Sequence, residues 1–233
     1  MESAIKLLSG PIFRAAVVFF ALGLARGVFL LVWELRRTYR RAGDQQIPLR
    51  RVGSAALGWL VPHRKLTVQP VFGLVSMAFH MGLLLTPLFL AGHVALVAAS
   101  VGIAWPTLPN PVATALTLVV LVAAPTLVLL RVASRPGRAL SGWRDYALPL
   151  LVAVPFASGI LVMHPAWNPF PFQPTYLMHL ASADLALFLV PLTRLSHMAF
   201  LPLTQLATEL AWHFPPDAGS RVGAALGKAG EPV

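Results

Sequence analysis

The chain has no cysteine, and that absence excludes disulfides, thiolate-bound iron-sulfur clusters and the C-x-x-C-H attachment of c-type haem. Any redox cofactor here must be held by histidine or non-covalently. Charge is scarce too: 11% of residues are charged against 57% hydrophobic, too polar-poor for an ordinary soluble domain. Acids are scarcer than bases, eight against eighteen, leaving a net charge of +10. Such an excess can mark a nucleic-acid binder. Here the cations sit mostly in the gaps between apolar runs rather than on a soluble basic face, so the partner implied is a membrane and not nucleic acid. Internal repeats and low-complexity segments are absent as well, and with them the paired inverted repeats of many transporters.

What the sequence does contain is five apolar runs of bilayer-crossing length: 12–33, 72–100, 112–130, 146–163 and 175–197. Lipid offers backbone amides no partner and the runs lack barrel-like alternation, so each is expected to be a helix. The expected fold class is therefore all-α, an integral membrane bundle of five transmembrane helices over residues 1–200, with a C-terminal tail over 201–233. The first run follows a short basic stretch but continues past twenty residues without a small-x-small cleavage site, which reads as a retained span and not a signal peptide. Orientation comes from the connections. Arg36, Arg37, Arg40, Arg41, Arg50, Arg51, Arg64 and Lys65 crowd the first, and Arg131, Arg135, Arg138 and Arg144 the third. The connections 101–111 and 164–174 have no Lys or Arg. By the positive-inside rule the N-terminus is outside and the tail cytoplasmic. Trp33, Trp59, Trp143 and Trp212 then fall at the cytoplasmic side and Trp105 and Trp167 outside, none mid-span. The mixed basic and apolar segment 51–66 reads equally as a stretch lying on the cytoplasmic membrane surface or on a partner subunit, or as an irregular solvated connection.

Histidine is where so apolar a chain can do chemistry. His63 and His213 lie in cytoplasmic segments and His164 at an external helix end, as interfacial histidines. His80, His93, His179 and His197 lie inside apolar runs, where an ionisable side chain is costly and marks a function. His179 and His197 are eighteen residues apart. On one continuous helix that is about five turns, placing both rings on one face roughly 27 Å apart, close to the hydrocarbon thickness. The second and fifth spans run in opposite directions, so the pairs at matched depth are His80 with His197 and His93 with His179. Two imidazoles facing each other, twice, are what two six-coordinate b-type haems require, and filled axial positions leave electron transfer as the chemistry. The alternative is four unrelated buried histidines, each hydrogen-bonded to a neighbour. Zinc fits poorly, because the pairs are too far apart to share an ion and nothing completes a tetrahedron. From His80 to His93 is thirteen residues, which leaves the rings about 140° apart on an ideal helix. A kink or π-bulge at the intervening Pro87 is predicted to realign them.

The segment 191–202, PLTRLSHMAFLP, with His179 twelve residues before its first proline, resembles the last helix of the cytochrome b (gamma) subunit of respiratory nitrate reductase and its relatives. The eighteen-residue histidine spacing is that family's. FHMG (79–82) and Gly92-His93 are similar to its second-helix motif, and SGILVMHP (158–165) to the end of its fourth helix. The resemblance implies a quinol-oxidising membrane subunit of a bacterial or archaeal inner membrane. It would take electrons from the menaquinol or ubiquinol pool near the outer surface, pass them through two haem b, and deliver them to a cytoplasmic iron-sulfur subunit and the catalytic subunit of the same complex. Carried over by position, His93 and His179 hold the distal haem, with Gly92 beside it, and His80 and His197 the proximal one. Two positions depart from the pattern. The histidine step in the second span is thirteen rather than ten, and the lysine associated with the quinol pocket has no counterpart, leaving Asn110 and threonines in its place. Related haem b anchors of sulfur-cycle or heterodisulfide-type reductases, a quinone-reducing subunit, and a haem-free scaffold or transporter are the alternative functions.

Two charged residues stand near these histidines. Asp184 lies five residues past His179, about 140° around and nearly 8 Å deeper. It could accept a proton from quinol, bond a neighbouring helix, or pair with Arg26. Arg194 could contact haem propionates or anchor at the interface.

Overall fold

Inside a lipid core a backbone amide must find its partner within the protein, and a helix supplies one locally. The computed structural model describes residues 1–41, 69–211 and 218–228, with positions 50, 53, 54 and 67, and every described element is helical. The expected surface segment 51–66, with Trp59 and His63, lies almost wholly outside the described residues, as do Trp212 and His213.

The order is α1 (Glu2–Leu7), a π-turn (Leu8–Ile12), α2 (Phe13–Arg41), α3 (Pro70–Phe89), α4 (Ala91–Val101), α5 (Asn110–Ala133), α6 (Arg135–Ala139), α7 (Trp143–Met163), α8 (Phe172–Leu192), α9 (His197–Ala211) and α10 (Ala218–Ala225). Five helices are long and apolar enough to cross a bilayer: 2–40, counting α1 and α2 together, then α3, α5, α7 and α8. The chain thus has the make-up of a multi-pass membrane protein. The starts follow from local chemistry. Proline stands in the first turn of α3 and α5, where its missing N–H costs nothing. At α7 the Asp145 carboxylate accepts from the Gly142 amide, 2.9 Å, closing the first turn.

Two expected spans are interrupted. The run 72–100 is not one helix: Leu90 is extended (φ −67°, ψ 130°), and α4 starts after it. The predicted kink at Pro87 is realised as a break three residues later. The run 175–197 also ends early, α8 stopping at Leu192 with Thr193 extended (φ −127°, ψ −179°). The Thr193 hydroxyl donates to the Leu189 carbonyl, 2.8 Å, and accepts from the Leu195 amide, 3.3 Å. The same hydroxyl-to-carbonyl bond occurs inside unbroken helices at Thr117 and Thr126, so it marks the end of α8 and does not by itself cause it. His197 is consequently the first residue of a new helix, not the last of the old one. By contrast α5 and α7 run unbroken through Pro125, Pro149 and Pro155.

The chain forms two compact units, residues 1–21 with 62–195 and residues 22–61 with 196–233. In the first, α3 packs on α5, α5 on α7 and α7 on α8, while the N-terminal segment lies against α8. Phe79, Val120, Ala123, Ala124, Leu127, Val152 and Phe156 form its core. Small residues set how closely these helices approach, as is usual where lipid removes the hydrophobic drive between them. A Cβ on Gly82 would stand 2.6 Å from Val120 Cγ2 and 2.8 Å from the Leu116 carbonyl oxygen. In the second unit Phe200 of α9 lies over Gly27 of α2, leaving no room for a side chain there.

Gly82→Ala should therefore push α3 off α5, because one of the clashing atoms is backbone and cannot rotate away. The expected loss is about 1–3 kcal/mol. In detergent this would appear as a fall in the melting temperature of roughly 2–4 °C per kcal/mol, an unchanged melting curve counting against the close approach.

Candidate histidine site

The break at Leu90 decides where His93 goes. In an unbroken helix the Pro87 carbonyl would accept from the amide of residue 91, but the extended Leu90 swings that amide away. The His93 ring takes its place, Nδ1 lying 3.0 Å from the Pro87 oxygen. A carbonyl can only accept, so Nδ1 carries the proton and Nε2 keeps its lone pair.

His179, early in α8, reaches the same state by another route. Its Nδ1 donates to the Pro155 carbonyl of α7, 2.9 Å, with the Ser158 hydroxyl oxygen 3.4 Å away. The ring lies where a side chain at 159 would be, a Cβ on Gly159 coming within 3.0 Å of His179 Cε1. Gly159 leaves the Pro155 carbonyl uncovered for the ring. The imidazoles of His93 and His179 then meet, centroids 6.0 Å apart and planes within 9° of parallel. The depth-matched pairing expected from topology is thus realised for these two. Both rings are half-buried and held at the back by a carbonyl, the arrangement that orients a ligating histidine and sets its tautomer.

His80 has the same feature on a local scale, its Nδ1 donating to the Ser76 carbonyl one turn back, 2.6 Å. It belongs to the first unit and His197 to the second, where His197 is exposed at the start of α9. Gly92 is exposed beside His93, with open space around its Cα.

Asn110 begins α5, and its carbonyl accepts from the Thr114 hydroxyl, 2.9 Å. That hydroxyl oxygen in turn lies 2.8 Å from His164 Nε2, which therefore donates. Asn110, Pro111, Thr114, Ala115, Leu118 and His164 line an open groove of about 400 Å³. His164, assigned from sequence to an interfacial role, stacks on Trp167 with centroids 4.2 Å apart and forms one wall of this groove. The signal for it was Thr114, one turn after Asn110 on a helix antiparallel to the one His164 ends.

Arg194 donates to Asp145 Oδ1, 2.8 Å, and Arg131 lies 3.8 Å from the same oxygen. The pair ties the end of α8 to the start of α7. Arg194 is three-quarters exposed, so the bridge is worth at most about 1 kcal/mol. The sequence offered Arg194 a propionate or the interface; the structure gives it a carboxylate of its own chain.

Asp184 does not join the histidines. Phe188, one turn further on the same face of α8, packs on Phe19 of the first helix, centroids 5.4 Å apart. Asp184 is only 4% exposed, and its Oδ2 has no hydrogen-bond partner among the described residues. Among the described residues no cluster of three or more His, Cys, Asp or Glu could hold a bare metal ion.

A buried acid without a partner is a liability to the fold. Asp184→Leu should raise thermal stability in detergent by about 1–3 kcal/mol. A loss of stability instead would show that the carboxyl has a structural partner.

Comparison with known proteins yields one relation that spans the molecule. The chain is 32% identical over 212 residues to a protein of Nitratidesulfovibrio vulgaris, covering 88% of this chain and 92% of the relative. No protein-family model matches the chain, and no solved structure matches it. An alignment of that identity over nearly the full length of both chains places this one in the family of the Nitratidesulfovibrio vulgaris protein.

Proposed function

We propose that this chain is a dihaem b membrane subunit that oxidises quinol and passes the electrons to an iron-sulfur partner on the other side of the membrane, as in the nitrate reductase gamma subunits its last helix resembles. The observation that carries the proposal is the meeting of His93 and His179, each with Nδ1 bonded to a proline carbonyl and Nε2 left as the ligand nitrogen.

The pair fits the group. Both rings are tied at Nδ1, so each would offer its Nε2 to the iron, and the two rings lie 6.0 Å apart. When bound, haem would supply one-electron transfer. A second haem is proposed from the sequence resemblance alone, with His80 and His197 as its ligands.

The protein's own residues handle the quinol. Oxidation of a quinol to a quinone releases two electrons and two protons. The groove between Asn110 and His164 is proposed to receive the head group, because its Pro111, Ala115 and Leu118 wall suits the isoprenoid tail and its polar groups gather at one end. His164 donates through Nε2 to Thr114, so its Nδ1 is the acceptor available for a quinol hydroxyl proton. Orientation follows the cationic connections, with the groove outside and the Arg131, Asp145, Arg194 corner cytoplasmic.

A reduced-minus-oxidised spectrum of the purified protein should show a b-type α-band with two haems per chain. His93→Ala and His179→Ala should each remove the same single haem, and His80→Ala and His197→Ala the other. Gly159→Val should behave like His179→Ala, since it drives the ring off its carbonyl. Absence of the α-band, or loss of both haems from any one of these changes, defeats the proposal.

A further inference from the structure

The break at Leu90 leaves more than one carbonyl without its helical amide. In a continuous helix Pro87, Leu88 and Phe89 would accept from the amides of residues 91, 92 and 93. The His93 amide bonds Leu90 instead, 3.0 Å. Pro87 receives the His93 ring. Leu88 receives the Trp105 indole N–H, 2.7 Å, and Phe89 the Leu108 backbone amide, 2.8 Å. Two of the three replacement donors thus come from residues 102–109, the connection between α4 and α5. It begins at Gly102, whose positive φ of 75° turns the chain back toward the end of α3.

We infer that Trp105 is a positioning residue for His93: its indole N–H, with the Leu108 amide, holds the break open and so reserves the Pro87 carbonyl for the imidazole. The competition is direct. Each carbonyl at the break has two possible partners, an amide of a continuing helix or a donor from the folded-back connection. If the connection withdraws, the helix gains by closing, and the Ala91 amide then takes the Pro87 carbonyl from the His93 ring. With the helix continuous, the thirteen-residue step would also turn His93 about 140° away from the face that carries His80. Trp105 never touches the ligand nitrogen; it acts by denying the helix its own bonds.

This rests on the haem reading, and the consequence is electronic. An imidazole whose Nδ1–H is bonded to a carbonyl is a more basic ligand and stabilises the oxidised iron. Loosening that bond should raise the midpoint potential of the haem held by His93 and His179 and leave the other unmoved.

The test is redox titration of the full-length protein in detergent, with electron paramagnetic resonance of the oxidised low-spin signals. Trp105→Phe keeps an aromatic ring but removes the N–H. Trp143→Phe is the control, at the other end of the unit, where its ring carries Arg144 at 5.4 Å. Expected in Trp105→Phe is an upward shift in one potential with a changed signal for that haem alone, or, where the helix closes fully, loss of that haem alone, with Trp143→Phe like the parent. Leu108→Pro, which removes the second donor, should shift the same haem the same way, and it decides the matter if Trp105→Phe does not accumulate. Unchanged potentials in both variants overturn the inference. Disturbance of both haems overturns it as well, since it would mark Trp105 as a general structural support. A parent protein without haem would defeat the parent proposal, a result separate from either of these.

Discussion

A helix that ends leaves its last carbonyls without amides, and the structure around the histidine pair depends on how a few such carbonyls are satisfied. A continuous helix answers the problem automatically. One that ends, as α3 does at Phe89, leaves several acceptors open, each costly if it is buried and nothing reaches it. At Leu90 the acceptors are met by an imidazole, an indole and a distant amide. There a side chain stands where an amide would have been, and that side chain is a candidate ligand.

The two histidines that meet obtain their carbonyls by opposite means. His93 receives one because its own helix is broken, and the Pro87 oxygen is released. His179 receives one from a helix that is intact, because Gly159 puts no side chain between the ring and Pro155. Either way the ring is tied at Nδ1, so both present Nε2. A ring free to choose its tautomer would present either nitrogen, and a ring free to rotate would lose entropy on binding metal. The backing carbonyls remove both uncertainties in advance.

Much of this was legible in the sequence because it follows from counting. The five spans are visible in the apolar runs, and matched depth puts His93 beside His179 from helix direction alone. Disruption near Pro87 was legible too, since His80 and His93 fall out of phase on an ideal helix. What could not be read was the position and form of the break. Proline removes a donor to the carbonyl four residues before it, which would weaken the helix near Leu83, whereas the break is held at Leu90 by donors fifteen and eighteen residues further along the chain. The end of α8 misled for a related reason. Eighteen residues between His179 and His197 suggest a single helix, but nothing in that spacing registers the extended Thr193 that ends it. Asp145 as the partner of Arg194 is forty-nine residues away, beyond any local pattern.

These interruptions change what histidine spacing means in such a chain. On a continuous helix a step of eighteen fixes both the depth and the azimuth of the second ring, and a step of thirteen fixes an azimuth that is wrong by about 140°. Once the helix stops between the two residues, the azimuths are no longer linked and the step retains information mainly about depth. His93 is the third residue of α4 and His197 the first of α9, so each follows an interruption by only a few residues. A side chain in that position takes its direction from the new helix and from whatever holds the break. His93 and His179 meet across such a break: the rise along the chain survives a broken helix, whereas phase is reset by the donors that keep it broken.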